Sequence, residues 1–300
     1  MNTPDWYDSF YDAPRALPLR TRNAVLADGP AAAAWMVRVL TDEDALLDRR
    51  PAARWAQVHA AHLLAEVSED PTLLLFATYL RHADQHGGVR CHVREACADE
   101  LARKPARALP LVQRALSEAQ DDTTRAALAE LLVRLSSEDA HMDRAAQVCE
   151  ELVEADLRRR LLGTLCRARR GPRAPDRLFA VAARHVRQVP EDADVLAWLR
   201  DERGLAVLAE LLRGSVAVGA DRAERLRACA RLKRVGEAFC DLACGDDQSE
   251  PDWSAILAEH LAPAEQGALR QWCRDAGAEL GIPERWWPKV LAGPHEAESV

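Results

Sequence analysis

The sequence predicts an all-α protein built from antiparallel helix pairs, on three observations. First, a short helical signature recurs. Val-Arg-Glu-Ala-Cys-Ala-Asp-Glu-Leu-Ala opens at Val93, Thr-Arg-Ala-Ala-Leu-Ala-Glu-Leu-Leu-Val opens 31 residues later at Thr124, and a looser copy opens a further 33 residues on at Leu157. The apolar positions keep their places: Val93, Cys97 and Leu101; Thr124, Leu128 and Leu132; Leu157, Leu161 and Leu165. A step of four residues keeps them on one side of a helix. Second, Ala and Leu dominate the apolar residues, and 37 of the 40 basic residues are Arg, the three Lys being Lys104, Lys233 and Lys289. All three dominant types are strong helix formers. Third, strand-like alternation over five or more residues is hard to find.

Composition narrows the class. Over 300 residues, 48% hydrophobic and 29% charged is ordinary for a folded protein and too apolar for a disordered one. The net charge of -8 disfavours general nucleic-acid affinity, which needs many cations to displace counterions. No stretch approaches the roughly 18 uninterrupted apolar residues of a membrane helix. The N-terminus is acidic and aromatic, without the basic and apolar regions of a signal peptide, so a cytoplasmic location is expected. Eight cysteines lie inside helical patterns with no Cys-x-x-Cys pair, and read as buried thiols.

In chain order, residues 1–13 gather Trp6, Tyr7, Phe10 and Tyr11, either as a cap over the open end of an array or as a docking segment. Helices are expected over 14–28 and 30–40, the second with Pro30 at its start, and a short capped helix from Thr41. A strong helix over 51–67 sets Trp55, Val58, His62 and Val67 near one face. Another, over 72–85, is ended by Gly87-Gly88. The first signature helix runs over 89–103, and its partner over 106–119 holds Pro110, which should bend it near its first turn. Asp121-Asp122 caps the second signature helix. Helices over 141–155 and 157–168 follow, then a break at Arg169-Arg170-Gly171-Pro172, then helices over 176–189, 194–202 and 205–213. Residues 214–219 read as a hinge or irregular loop. Two helices, 221–234 and 237–244, precede a polar loop. Helices over 253–261 and 264–280 and a closing segment at 281–288 bring the count to about seventeen, and residues 293–300 read as a disordered tail.

Around Val93, Thr124 and Leu157 the units resemble HEAT repeats, or HEAT-like armadillo-type repeats. Ala108-Leu-Pro-Leu-Val-Gln-Arg-Ala-Leu-Ser supplies the proline-bent first helix, Asp121-Asp122 the turn, and Thr124-Arg125-Ala-Ala the opening of the second helix. Residues 72–168 carry the likeness. It implies a right-handed α-α superhelix, a solenoid forming one domain over 14–292, whose second helices line a concave face that receives a partner. It also implies that Arg94, Arg125 and Arg158 form a ladder with turn carboxylates such as Asp122 and Asp156. Cys97, standing where Leu128 and Leu161 stand, is then a core residue.

Chemical motifs are sparse. His82 and His86 are spaced i, i+4, with Cys91 and His92 close behind, but these groups would straddle a helix end and a turn, so no metal site is expected. Cys240 and Cys244 share a face without a His pair, and Glu138-x-x-His141 occurs once. No phosphate loop, nucleophile elbow or His-Glu-x-x-His is present, and neither a catalytic residue nor a cofactor is expected. The basic runs are more informative. Residues 158–187 hold ten Arg against one acid, Asp176, and residues 222–234 hold six cations against one acid. Arg158, Arg159, Arg160, Arg167, Arg170, Arg177 and Arg184 are therefore candidate binding residues for carboxylate or phosphate, the alternative being a solvated face balanced by acidic neighbours. The expected function is a non-catalytic scaffold or adaptor whose concave face takes a protein partner through an acidic segment. The alternative is a nucleic-acid-associated protein similar to the HEAT-like alkylpurine DNA glycosylases, for which Trp198 near Asp194 and Asp201 is the nearest approach to a site. Trp286-Trp287 reads as a terminal cap or a docking patch.

Overall fold

Asp121 illustrates how the helices begin: its carboxylate accepts the N–H of Thr124 at 2.8 Å and opens a helix over Asp122–Leu135. Pro30, Pro105 and Pro263 each stand in the first turn of a helix, where a missing N–H costs nothing. The computed structural model describes residues 3–13, 15–42, 55–85, 88–169, 173–215, 221–244 and 252–292. Among these described residues it is all-helical, with seventeen α-helices and no strand. The chain divides into two compact units, 1–158 and 159–300.

The first unit holds α1 (Tyr7–Tyr11), α2 (Leu19–Ala27), α3 (Pro30–Thr41), α4 (Ala56–Val67), α5 (Thr72–Arg81), α6 (Gly88–Ala102), α7 (Pro105–Glu118), α8 (Asp122–Leu135), α9 (Asp139–Glu151) and the start of α10 (Ala155–Ala168). From α2 to α8, each helix packs on the next but one. α2, α4, α6 and α8 make one row and α3, α5 and α7 another, with α3 on α4, α5 on α6 and α7 on α8 between the rows. Packing between rows hides the signature positions of α6 and α8: Val93, Cys97, Leu101, Leu128 and Leu132 are buried and Thr124 is half-buried; Leu157, on α10, is buried too. At the chain start, Trp6, Phe10 and Tyr11 are buried within this unit. Trp6 Nε1 donates to Asp28 at 2.6 Å, and the Tyr7 ring meets Trp35 edge-on at 5.0 Å.

Ties between neighbouring elements mostly use groups other than the expected Asp122 and Asp156. Arg94 donates to the Ala83 carbonyl (3.3 Å) and pairs with Glu130 of α8 (3.7 Å), while Arg125 pairs with Glu151 of α9 and more distantly with Asp122 (3.9 Å). Arg158 turns back to the Leu152 carbonyl, at 2.6 Å from Nη2. Asp122 instead accepts the backbone N–H groups of Val153 (2.7 Å) and Glu154 (3.4 Å), in the turn after α9.

The second unit holds the rest of α10, then α11 (Asp176–Gln188), a 3-10 turn (Pro190–Asp192), α12 (Asp194–Leu199), α13 (Arg203–Gly214), α14 (Arg222–Cys244), α15 (Trp253–Ala258), α16 (Pro263–Leu280), a second 3-10 turn (Glu284–Trp286) and α17 (Lys289–Ala292). Here α14 is the hub, packed on by α12, α13, α16, α17 and the first 3-10 turn. The expected break near residue 236 is absent, and α14 runs unbroken for 23 residues. Gly236 serves close approach instead: a Cβ there would lie 3.0 Å from Pro288 Cγ and 3.2 Å from Leu291 Cδ1 of α17.

Other boundaries differ as well: α2 starts at Leu19 instead of residue 14 and α15 ends at Ala258 instead of residue 261, and two more have a visible cause. α12 ends at Leu199, short of residue 202, because Arg200 takes a left-handed φ of 49° and the carboxylate of Asp201 then binds the N–H groups of Ala174 and Arg203. α5 ends at Arg81, where the N–H of His82 turns back to the Tyr79 carbonyl, and Gly88 opens α6 instead of closing α5. The expected cap at Gly87, the helix from Thr41 beyond residue 42, most of the 214–219 loop, most of the 245–252 loop and the 293–300 tail lie outside the described residues. No helix among the described residues is long and apolar enough to cross a membrane.

Candidate functional site

Along the Arg-rich run some side chains are engaged by buried or backbone groups and others lie at the exposed surface. Arg158 is engaged by the Leu152 carbonyl, and Arg159 by Asp192 at 2.7 Å. Asp192 is buried and also receives His185 Nε2 at 2.9 Å, so two cationic or polar groups share one carboxylate. Arg169 reaches the carbonyls of Leu199 and Arg200, Arg173 pairs with Asp176 (3.4 Å), and Arg187 pairs with Glu210 (2.9 Å). Arg160 and Arg167 of α10 and Arg177 and Arg184 of α11 are exposed. Each of these two pairs is spaced i, i+7, which leaves its members two turns apart on one side of the helix. Arg170 lies outside the described residues.

Trp198 gives this surface an aromatic component. Its indole lies against Gly163 of α10, where a Cβ would come within 3.2 Å of Cζ3, and the Arg167 guanidinium sits 4.3 Å from its ring centre. Trp198 as a whole keeps 36% of its surface exposed. A guanidinium on an indole face is a cation–π contact that holds the long Arg side chain in place while its outer donors stay in water.

Asp201, the acid next to Trp198 in sequence, is engaged elsewhere. It is 3% exposed, accepts from the Ala174 N–H at 2.8 Å, and binds Arg203 through both oxygens, from Nε at 2.9 Å and from Nη2 at 2.8 Å. Arg203 also reaches Asp176 (2.7 Å) and the Ala174 carbonyl (2.8 Å), and sits 4.3 Å over the Phe179 ring. Burial works to raise the Asp201 carboxyl, but the Arg203 guanidinium and the two N–H donors outweigh it and hold the group below the ordinary carboxylate range. The result is a structural knot between α11 and α13.

In the second basic run, three of the six cations are matched by acids: Arg225 pairs with Glu279, Arg231 with Glu191 (3.5 Å) and Lys233 with Glu237 (3.7 Å). Cys97 is fully buried, and burial together with Glu100 pushes its thiol up to about 12, which removes it as a nucleophile at neutral pH. His141 is held by Ser136 (2.7 Å) and Gln113 (2.8 Å), and His92 stacks on Trp55 at 5.1 Å. His86 lies outside the described residues, and among those described no three His, Cys, Asp or Glu side chains converge to hold a metal ion.

One feature was hidden from sequence reasoning. A cleft of about 460 Å³ lies in the second unit along α14, between the turn that leads into α12 and Trp286. Trp287 is buried, whereas its neighbour Trp286 is half-buried and forms a wall of the cleft. The sequence signal was the Trp pair itself; the acids across from it come from residues 45 and more positions away. Comparisons with protein-family models, with curated proteins and with solved structures find no match to this chain.

Proposed function

We propose that the protein is a non-catalytic binding scaffold, a HEAT-like α-solenoid with a right-handed superhelical course. On this reading it takes an acidic segment of a protein partner on the Arg-rich helices α10 and α11. The observation that carries the reading is the exposure of Arg160, Arg167, Arg177 and Arg184, with Arg167 laid on the half-open Trp198 indole. Guanidinium groups bind carboxylates in a bidentate fashion, and one already positioned by stacking loses less freedom on binding. The two-row helix packing of the first unit supports the repeat reading, because each element there meets mainly its near neighbours.

The test is a titration of the full chain with a fluorescein-labelled Glu-rich peptide, alongside a labelled DNA duplex, over a range of salt. The acidic peptide is expected to bind, and the variant carrying R160E, R167E, R177E and R184E to bind at least about tenfold more weakly, a loss of about 1.4 kcal/mol or more. Unchanged affinity in that variant overturns the reading. Duplex binding in place of peptide binding would transfer the surface to nucleic acid.

A further inference from the structure

The cleft on α14 has chemistry opposite to that of the Arg-rich helices. Its floor is the strip of α14 from Ala230 to Asp241, twelve residues and about 16 Å of helix. One wall is Glu191 and Asp194, at the turn that starts α12, and the other is the indole of Trp286. Within it, Lys233 and Arg234 are already committed. The Lys233 ammonium lies 4.7 Å from the Trp286 ring centre and 3.7 Å from Glu237, and Arg234 donates to the Glu191 carbonyl at 3.3 Å. Glu191 is matched by Arg231. Asp194 and Asp241 remain as carboxylates lining the cleft, and neither forms an ion pair among the described residues.

We infer that this cleft binds a basic peptide segment, seating a guanidinium or ammonium group between the Trp286 indole and the carboxylates of Asp194 and Asp241. Lys233 shows the chemistry in place: an ammonium rests on the indole with a carboxylate beside it, as an internal counterpart of the ligand group. Cation–π contact and carboxylate pairing both favour a cation carried on an apolar stem, as in Arg or Lys side chains. The volume falls within the roughly 300–1,000 Å³ of small-ligand sites. Its length along the helix suits a chain segment better than a single ion. The inference is independent of the Arg-rich surface, since it uses other residues and the opposite charge.

The experiment is fluorescence anisotropy with a labelled, end-blocked Gly-Arg-Arg-Gly peptide, a Gly-Glu-Glu-Gly control and spermidine as an unlabelled competitor. The full chain is expected to bind the Arg peptide in preference to the Glu peptide, more weakly as salt rises. The isosteric double variant D194N/D241N, with an unchanged circular dichroism spectrum, is expected to bind at least about fivefold more weakly. Lys233→Gln removes the internal competitor, frees the indole and leaves Glu237 unmatched, so it is expected to tighten binding about twofold or more. Competition by spermidine weaker than by the peptide supports a peptide ligand, and spermidine binding tighter than the peptide overturns that assignment in favour of a free polyamine. Failure to bind the Arg peptide at low salt, equal affinity in D194N/D241N, or weaker binding by Lys233→Gln each overturns the proposal.

Discussion

Gly236 and Gly267 lie inside two helices of the same unit, and their surroundings dictate opposite responses to alanine. Nothing stands within 4 Å of a Cβ at Gly267, which is exposed on α16. Gly267→Ala should therefore raise stability by up to about 1 kcal/mol through helix propensity. At Gly236 the same gain is set against the Pro288 ring, too stiff to yield, and Gly236→Ala should lower stability by about 1–2 kcal/mol. Urea denaturation of both variants checks the pair, and a stabilised Gly236→Ala would show that α17 shifts freely. At this scale the core was legible in the sequence and the partners were not. The four-residue step found Val93, Cys97, Leu101, Leu128, Leu132, Leu157, Leu161 and Leu165, all buried, because local periodicity sets which side faces inward. Arg159 with Asp192, or Arg203 with Asp201, could not be read, since such pairing depends on how turns bring distant residues together and nothing in the local pattern encodes it.

Most helices are legible in the sequence, and their ends are less so. A glycine in a helical pattern signals a break and a close approach alike, so the sequence predicts two helices where packing by α17 keeps α14 as one. Proline carries a similar ambiguity. Pro110 stands well inside α7 and is exposed, so its missing N–H leaves the helix one backbone bond short without any packing in return. Pro110→Ala restores that donor and improves propensity, partly offset by a more flexible unfolded chain, and should stabilise the protein by about 1–2 kcal/mol. A rise in the urea midpoint with an unchanged slope is the expected signature. A fall would mean that α7 relies on a proline-set bend for its fit between α5 and α8.

Across the whole molecule, ionisation sets the conditions under which the folded chain is stable. Asp121 is held low by the Thr124 N–H, Glu151 by Gln147 and Arg125, and Asp201 by Arg203 and two N–H groups against the effect of its burial. Groups lowered on folding stabilise the protein above the ordinary carboxylate range, and that contribution is lost as pH falls through their lowered values. Burial pushes the thiols of Cys97 and Cys273 up to about 12 and that of Cys240 up to about 11. Groups raised on folding stabilise the protein below the unfolded thiol value near 8.5, and that contribution declines as pH rises through 11 to 12. Melting temperature should thus be flat between about pH 5 and pH 8 and fall on both sides. Asp201→Asn should shrink the acid limb, and an acid limb of unchanged size would separate the knot at Asp201 from acid stability. The division at residue 158 had no marker of its own in the sequence: it falls inside a regular helix, with neither a glycine nor a proline to signal it.

Asp122 holds the turn after α9 through the backbone N–H groups of Val153 and Glu154. Every residue except proline offers that donor, so the hold is indifferent to the side chains it grips. Val153, at 85% exposure, should accept Lys with a change within about 0.5 kcal/mol. Val153→Pro deletes the shorter of the two hydrogen bonds and should cost about 1 kcal/mol, which thermal melts of the two variants would compare directly. A joint made this way can drift through nineteen side-chain identities and still fasten its two elements, with a single aspartate as its only fixed letter.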